Sequence, residues 1–394
     1  MKDKYEVQLN LATCCKNNLN TIYYNTRGIK IEEMKISEGF YFIRHNNIIK
    51  KISQHSEIHT EKGEELLFRI RKSKNKNFTI ESPISNIEKT RNNILNLNNK
   101  LWYILSNKNT DNNIENYILS KNDIIQFGES KYEIVELYIE EKDKNAGDKK
   151  NKDKNADNNI NYLDLNDQYN ISKNNKSDSI FNMIIINSEY SNNNQNNLCR
   201  ICYDGSSSIE NPKIKLCNCH DYIHYECLKA WLKTKINKRE NGKKTVLTYI
   251  IKKFNCEVCL KTYPSKFKIS EINKEYSLID LDYPIGYNYI VLESLGFILG
   301  DNNNNTLKLI HVVKLTEDKI FIGRKDNCDI VDIGQNVSRE HATIKYNNGD
   351  VILENLSKTF NTLVLVKKSI VIKEQKIDLQ VGRTLITANL VNNK

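Results

Sequence analysis

Short runs of β-branched and aromatic residues, divided by polar Asn/Lys turns, fill residues 1–140 of the chain. Gly39-Phe-Tyr-Phe-Ile-Arg44, Lys100-Leu-Trp-Tyr-Ile-Leu105 and Tyr132-Glu-Ile-Val-Glu-Leu137 are three of them. Apolar segments of this length, bounded by turn residues, predict strands. The same rhythm returns over residues 287–392, with turns at Asp301–Asn305 and Asn347–Gly349, and predicts a β-sandwich. Between these regions the pattern breaks twice. Residues 141–198 are dominated by Asn, Asp, Lys and Ser, and read as a disordered linker. One apolar island interrupts it, Ile180-Phe-Asn-Met-Ile-Ile-Ile186. The island is either a strand that docks on a neighbouring domain or a short interaction motif. Over residues 199–268 cysteine spacing replaces hydrophobic periodicity as the organising feature.

The two β regions echo each other. Gly39-Phe40 and Gly296-Phe297 open similar segments, and Asn122-Asp-Ile-Ile-Gln-Phe-Gly128 resembles Lys376-Ile-Asp-Leu-Gln-Val-Gly382. Such self-similarity is the mark of an internal repeat, although two unrelated β-rich segments also resemble each other by composition.

Composition adjusts this picture in three ways. The chain has 394 residues, room for two or three domains with cores of their own, and a hydrophobic fraction of 39% that fits ordered domains joined by polar segments. The net charge of +10 is the excess of Lys and Arg over Asp and Glu in a chain biased towards lysine and asparagine. No basic patch interleaved with aromatics accompanies it, so nucleic acid is not an expected partner. The N-terminal MKDKYEVQLNLATCC has no apolar stretch of signal-peptide length, and Tyr289–Leu299 falls short of the ~20 residues that span a bilayer. The expectation is a soluble cytoplasmic or nuclear protein with no membrane contact.

Of ten cysteines, seven lie between residues 199 and 259. Clustered pairs in a reducing compartment read as metal ligands. The order is Cys199-x2-Cys202, Cys217-x-Cys219, His224-x2-Cys227 and Cys256-x2-Cys259. Eight ligands in four pairs are the number that two tetrahedral zinc ions require. A tight CxxC turn brings both sulfurs to about 2.3 Å from one ion. Pairs in this order can close sequentially or interleaved. Eight ligands for two ions leave neither metal an open position, which excludes a catalytic zinc.

CRICYD, CNC, HYECLKAWL and CEVCLKTYP resemble the RING-CH (RING-variant) zinc finger over about 70 residues. The resemblance implies the interleaved cross-brace: Cys199, Cys202, His224 and Cys227 on one zinc, Cys217, Cys219, Cys256 and Cys259 on the other. It also implies a ubiquitin ligase, which performs no covalent chemistry and positions a ubiquitin-charged conjugating enzyme. Ile201, Trp231 and Pro264 would form the docking groove for that enzyme. Ile201 and Trp231 also read as the core of a very small domain. The Cys219–His224 interval is shorter than is usual in the family, which raises His220 as an alternative ligand. His220 adjoins Cys219, a ligand of the other zinc, so His224 is expected. Leu260 and Lys261 follow the last ligand, where active RING ligases often carry a cation at once. The insert between Cys227 and Cys256 is lysine-rich, and its first part, LKAWLKTKI, reads as an amphipathic helix.

Three further signals occur in order: Ile322-Gly323-Arg324, Ser338-Arg-Glu-His341 and Asn355-Leu-Ser-Lys-Thr-Phe-Asn-Thr362. Together they resemble the forkhead-associated (FHA) domain, a β-sandwich that binds phosphothreonine peptides through loops at one end. The resemblance implies that Arg324 and Ser338 contact phosphate, Arg339 adds charge, Asn361 holds peptide backbone, and Gly323 and His341 shape the loops. An Arg and a hydroxyl suit a dianion of strong acceptors. The glycine that normally follows the asparagine is missing. Residues 39–140 contain no Gly-Arg followed by Ser-x-x-His, so the N-terminal region reads as β-rich, with a degenerate FHA-like sandwich as one version, and receives no phosphate site.

The expected architecture is therefore mainly β with a small α+β zinc domain. Its parts are an N-terminal domain (1–140), a linker (141–198), a cross-brace finger (199–268) and an FHA sandwich (287–392). The expected function is a ubiquitin ligase holding two zinc ions that recruits threonine-phosphorylated partners. The alternative is a non-catalytic phosphopeptide-binding scaffold with a structural zinc finger.

Overall fold

A computed structural model describes residues 5–14, 29–54, 63–73, 77–82, 97, 100–106, 116–140, 183–186, 198–252, 254–295, 297–298 and 306–392. The fold is mainly β, with one helix among the described residues. The strands of the first part are β1 (Tyr5–Cys14), β2 (Ile29–Ile36), β3 (Phe40–His45), β4 (Ile48–Ser53), β5 (Glu64–Lys72), β6 (Phe78–Glu81), β7 (Leu101–Leu105), β8 (Asn116–Ile118), β9 (Ile124–Phe127) and β10 (Ser130–Tyr138). Next come β11 (Met183–Ile186), β12 (Lys213–Ile214), β13 (Ile223–His224), the helix α1 (Tyr225–Lys233), β14 (Ile236–Glu240), β15 (Val246–Lys252), β16 (Lys266–Ile269), β17 (Lys274–Ser277), β18 (Tyr289–Ser294), β19 (Phe297–Ile298) and β20 (Thr306–Lys314). The last are β21 (Ile320–Gly323), β22 (Ile330–Val331), β23 (Ala342–Asn347), β24 (Asp350–Asn355), β25 (Thr362–Leu365), β26 (Ser369–Val371), β27 (Ile377–Val381) and β28 (Thr384–Asn392). No described helix is long and apolar enough to cross a membrane.

The described chain divides into two compact units. The first draws on Met1–Glu133 and Thr316–Lys394, the second on Ile134–Glu140 and Ser172–Leu315. Burial follows the sequence pattern. In β1 every second residue is buried (Val7, Leu9, Leu11, Thr13), as expected for a strand with one face on a core. In β7 and β9 every residue is buried, as befits central strands. The charged strand β2 lies at a sheet edge, where Lys and Glu discourage further pairing.

Within the first unit the chain crosses over between its two halves. β8 and β9, from the N-terminal half, pair with β24 and β25. β26, β27 and β28, from the C-terminal half, pair with β6, β7 and β1. The expectation of one domain in 1–140 and another in 287–392 gives way to this arrangement. Each half completes its sheets with strands of the other, because strand pairing is non-local. The echo noted in the sequence has a structural counterpart. The Gln126 side-chain amide donates to the Gly128 carbonyl (2.7 Å) and that of Gln380 to the Gly382 carbonyl (2.9 Å). Both glycines have positive φ, 55° and 52°, at the turns of β9–β10 and β27–β28. The Gly39/Gly296 half of the echo and the turn at Asp301–Asn305 involve positions outside the described residues, as does almost all of 141–198.

In the second unit the hairpin β14–β15 lies inside the Cys227–Cys256 insert and pairs through β15 with β20. β20 in turn pairs with β18. One core runs from Cys199, Cys217 and Cys256 through Leu228 and Leu232 to Tyr249, Phe267, Tyr276, Val291 and Ile310. Tyr289, Val291, Ile310 and Val312, expected in the C-terminal sandwich, thus share the core of the zinc module. A finger of this size buries little apolar surface by itself, and the added strands enlarge it. Met183–Ile186 pairs in parallel with β16, which is the strand alternative for the apolar island.

Candidate functional site

Helix α1 begins directly after His224, which places Cys227 in its first turn. Tyr225, Leu228 and Leu232 form its buried stripe, at i, i+3 and i+7. The His224 ring caps nothing, because its nitrogens are engaged elsewhere. The first-turn amides of Tyr225 and Glu226 donate instead to the Pro212 carbonyl (2.9 Å) and Asn211 Oδ1 (2.9 Å). The two CxxC turns are built alike. Tyr203 N donates to Cys199 O (2.8 Å), Leu260 N donates to Cys256 O (2.9 Å), and Tyr203 and Leu260 take left-handed φ of 59° and 58°.

These turns gather two groups: Cys199, Cys202, His224 and Cys227, then Cys217, Cys219, Cys256 and Cys259. In each group the four ligand atoms lie within 4.8 Å of one another. Cys219 Sγ and Cys256 Sγ are 3.6 Å apart, and Cys202 Sγ lies 3.2 Å from His224 Nδ1. Tetrahedral zinc with 2.3 Å bonds to sulfur needs an S–S edge of about 3.8 Å, so the spacing fits. The interleaved closure is the one the fold makes. His220 is exposed and in neither group, whereas His224 is buried.

The surroundings orient the ligands. His224 Nε2 lies 2.6 Å from the Ser206 carbonyl; with the proton there, Nδ1 is free for metal. Arg200, inside the first CxxC turn, donates to Cys256 Sγ of the other group (3.6 Å) and to Tyr263 Oη (3.3 Å). The two sites are thereby tied together. Burial opposes ionisation of Cys256, but amides of Cys259 and Val258 and the groups of Tyr263 and Arg200 bring its thiol down to about 5. Burial, then contact with Cys256 and Cys259, pushes Cys219 up to about 12. Crowded thiols resist joint ionisation, and a dication removes that conflict. Arg200 was not singled out in the sequence, and its position between Cys199 and Cys202 was the available signal.

The sequence-expected docking residues divide. Ile201 is 41% exposed. Trp231 is half-buried, edge-on to Tyr263 at 6.5 Å, with Lys235 over its ring. Pro264 is buried and presents no surface. Val258 and Leu260, at 75% and 68% exposure, stand out from the second CxxC turn instead.

In the first unit Arg324, Ser338, Arg339, Lys358 and Phe360 line an open pocket of about 500 Å³. Gly323 is obligatory: a Cβ there would sit 2.3 Å from the Arg339 carbonyl oxygen. Arg324 N donates to Ser338 O (2.9 Å), and Lys325 N to Arg339 O (3.1 Å). His341 is fully buried, and its Nδ1 accepts from Ser338 N (3.0 Å). Ser338 Oγ and Ser357 Oγ are 2.6 Å apart, and Ser357 Oγ also accepts from Phe360 N (3.0 Å). The pocket thus carries three cations against Glu340, which is paired with Lys325 at 3.3 Å. Asn361 is not among the lining residues; Phe360 is. Lys358 lies within the Asn355–Thr362 motif, where its charge was the available signal.

Burial pulls the His341 imidazole down to about 4. The unfolded value is about 6.5, so between these limits only the unfolded chain takes up the proton, and the contribution of neutral His341 to stability is lost as pH falls. The ring protons of His341 should show no titration between pH 8 and pH 5 by NMR. A midpoint near 6.5 would remove the neutral acceptor assigned to Ser338 N.

Residues 199–259 match the family described as RING-variant domain, and residues 320–386 the family described as FHA domain. The chain carries a RING-variant domain and an FHA domain. A RING-variant domain binds two zinc ions, and the two ligand groups fit them. The E3 ubiquitin-protein ligase MARCHF7 of Rattus norvegicus and that of Mus musculus are each 32% identical over 95 residues, 23% of this chain and 13% of theirs. The MARCHF7 protein of Pongo abelii is 27% identical over 129 residues, 29% of this chain and 17% of its own. The chain therefore spans less than a fifth of the length of these relatives. No solved structure matches.

Proposed function

We propose that this protein is a RING-CH-type ubiquitin ligase that positions a ubiquitin-charged conjugating enzyme and recruits threonine-phosphorylated partners through its FHA pocket. The observation that carries the first half is the pair of complete four-ligand groups whose CxxC turns expose Ile201, Val258 and Leu260. Closed metal shells make the zinc ions structural, so the module acts by presenting a surface. The second half rests on a basic pocket with a hydroxyl and an arginine at its rim. Its proposed phosphate contacts are Arg324, Ser338 and Arg339, with Lys358 adding charge. Asn361, next to the lining residue Phe360, is the proposed holder of peptide backbone.

The test is ubiquitin-chain formation with a panel of conjugating enzymes, zinc content being measured in parallel. Ile201→Ala should lower the rate about tenfold or more while two zinc ions remain, since interface anchors commonly contribute 1–2 kcal/mol. Trp231→Ala should lower it as well. That variant also loses roughly 2 kcal/mol of packing against Tyr263, so Ile201 is the cleaner probe. Zinc-loaded wild type that forms no chains with any enzyme of the panel would favour the scaffold reading. Ile201→Ala at the wild-type rate would reject the docking surface.

A further inference from the structure

The loop that carries Ser338 does not stand on its own segment of chain. Asp332, at its start, is fully buried. Its Oδ1 accepts from Gly334 N (2.8 Å) and from Ser130 Oγ (2.9 Å), and its Oδ2 accepts from Tyr132 Oη (3.0 Å). Ser130 and Tyr132 are 202 and 200 positions away in sequence, outside the matched residues 320–386. They sit on the hairpin β9–β10, whose turn also grips the loop. Glu129 N donates to Gln335 O (3.0 Å), and a Cβ on Gly128 would sit 2.5 Å from that same oxygen. Just before the turn, Phe127 meets the edge of the His341 ring at 5.5 Å. His341 Nδ1 is the acceptor for Ser338 N, and Asp332 N donates to Gly323 O (2.9 Å) beside Arg324.

We propose that Ser130 and Tyr132 are positioning residues of the phosphopeptide pocket, acting from the N-terminal half of the chain through Asp332 on the loop that presents Ser338. The inference rests on the phosphopeptide reading above. The physical reason is that a buried carboxylate must have its acceptor sites filled. Three donors fill those of Asp332, and two of the three come from the distant hairpin. Without them the carboxylate must find water, and the loop moves with it. Ser338 and Arg324 are linked by a backbone hydrogen bond, so a shift of the loop spreads to both. The pocket is therefore a joint product of the chain's two halves, and residues 320–386 alone lack two of the donors that set it.

The experiment uses the full chain and a fluorescein-labelled peptide pool with a fixed phosphothreonine and randomised flanks, next to the same pool without phosphate. Hydrogen exchange of amides 332–341 is read on the ligand-free protein. The double variant Ser130→Ala/Tyr132→Phe should weaken binding of the phosphorylated pool about tenfold, the loss of two hydrogen bonds of ordinary strength. Exchange at Val337 and Ser338 should rise by a similar factor. Asp332→Asn keeps a carbonyl for Ser130 and Gly334, and should stay within about threefold of wild type in both readouts. That rescue separates shape from charge. A folded double variant with wild-type affinity and wild-type exchange overturns the proposal. Should the double variant not fold, Tyr132→Phe alone removes one hydroxyl and is judged by the same two readouts. Wild type that does not prefer the phosphorylated pool sinks the phosphopeptide reading. The exchange readout then still decides whether the hairpin holds the loop.

Discussion

Replacing Cys256 with serine is expected to leave the chain with one bound zinc ion or fewer and to abolish ubiquitin transfer. Cys256 is fully buried, and the amides of Cys259 and Val258 with Tyr263 and Arg200 outweigh burial to bring its thiol down to about 5, so it is ready for metal as the thiolate. A serine hydroxyl does not ionise there and is a poor zinc ligand. A structural zinc contributes on the order of 10–16 kcal/mol in small fingers, as much as the entire stability of an ordinary domain. Losing one site therefore exceeds what the local core can offset. The damage should spread to the first site. Arg200 lies in the Cys199–Cys202 turn and is anchored on Cys256 Sγ and Tyr263 Oη. Zinc content by mass spectrometry under native conditions reads the outcome directly. Cys14→Ser and His220→Ala serve as controls that keep two ions, because neither residue is in a ligand group. His224→Ala should behave like Cys256→Ser. Two zinc ions retained by Cys256→Ser would break the ligand assignment.

The zinc groups were legible in the sequence because each pair of ligands sits in one tight turn, where spacing along the chain is nearly spacing in space. The choice between sequential and interleaved closure was not local, and the resemblance supplied it before the fold did. Gly323 and His341 were legible for a related reason. Each is demanded by a close approach or a hydrogen bond within one loop pair, such as Gly323 against the Arg339 carbonyl. The partners of the strands were not legible. β-branched runs announce strands without naming their neighbours. Nothing in Ile124–Phe127 states that it pairs with Thr362–Leu365, or in Val246–Lys252 that it pairs with Thr306–Lys314. The linear division into domains differed from the fold for that reason. Burial of Pro264 was hidden likewise, since the segment after Cys259 turns into the core with Tyr263 and Phe267.

Arg324→Ala is the second large effect, and it should weaken binding of a phosphothreonine peptide by about 10- to 100-fold. A hydrogen bond to a charged group contributes about 1.5–3 kcal/mol, and at this solvent-exposed rim the guanidinium fork as a whole is taken at that scale. The side chain is exposed at the rim, so its removal should leave the thermal midpoint where it was. Arg324→Lys should fall between wild type and alanine, because a point charge replaces the fork. Ser338→Ala should cost less, roughly fivefold, for one neutral hydroxyl. Titration by fluorescence polarisation across pH separates the ligand from the protein. The second ionisation of phosphothreonine lies near 6, so affinity should decline below that value as the peptide loses charge. His341, held down to about 4 by burial, stays neutral throughout and keeps the Ser338 amide in place. Wild type and Ser338→Ala should therefore show the same midpoint, set by the peptide. Unchanged affinity in Arg324→Ala would mean that the anion is bound elsewhere. A pH midpoint that moves with Ser338 would mean that the protein, and not the phosphate, is titrating.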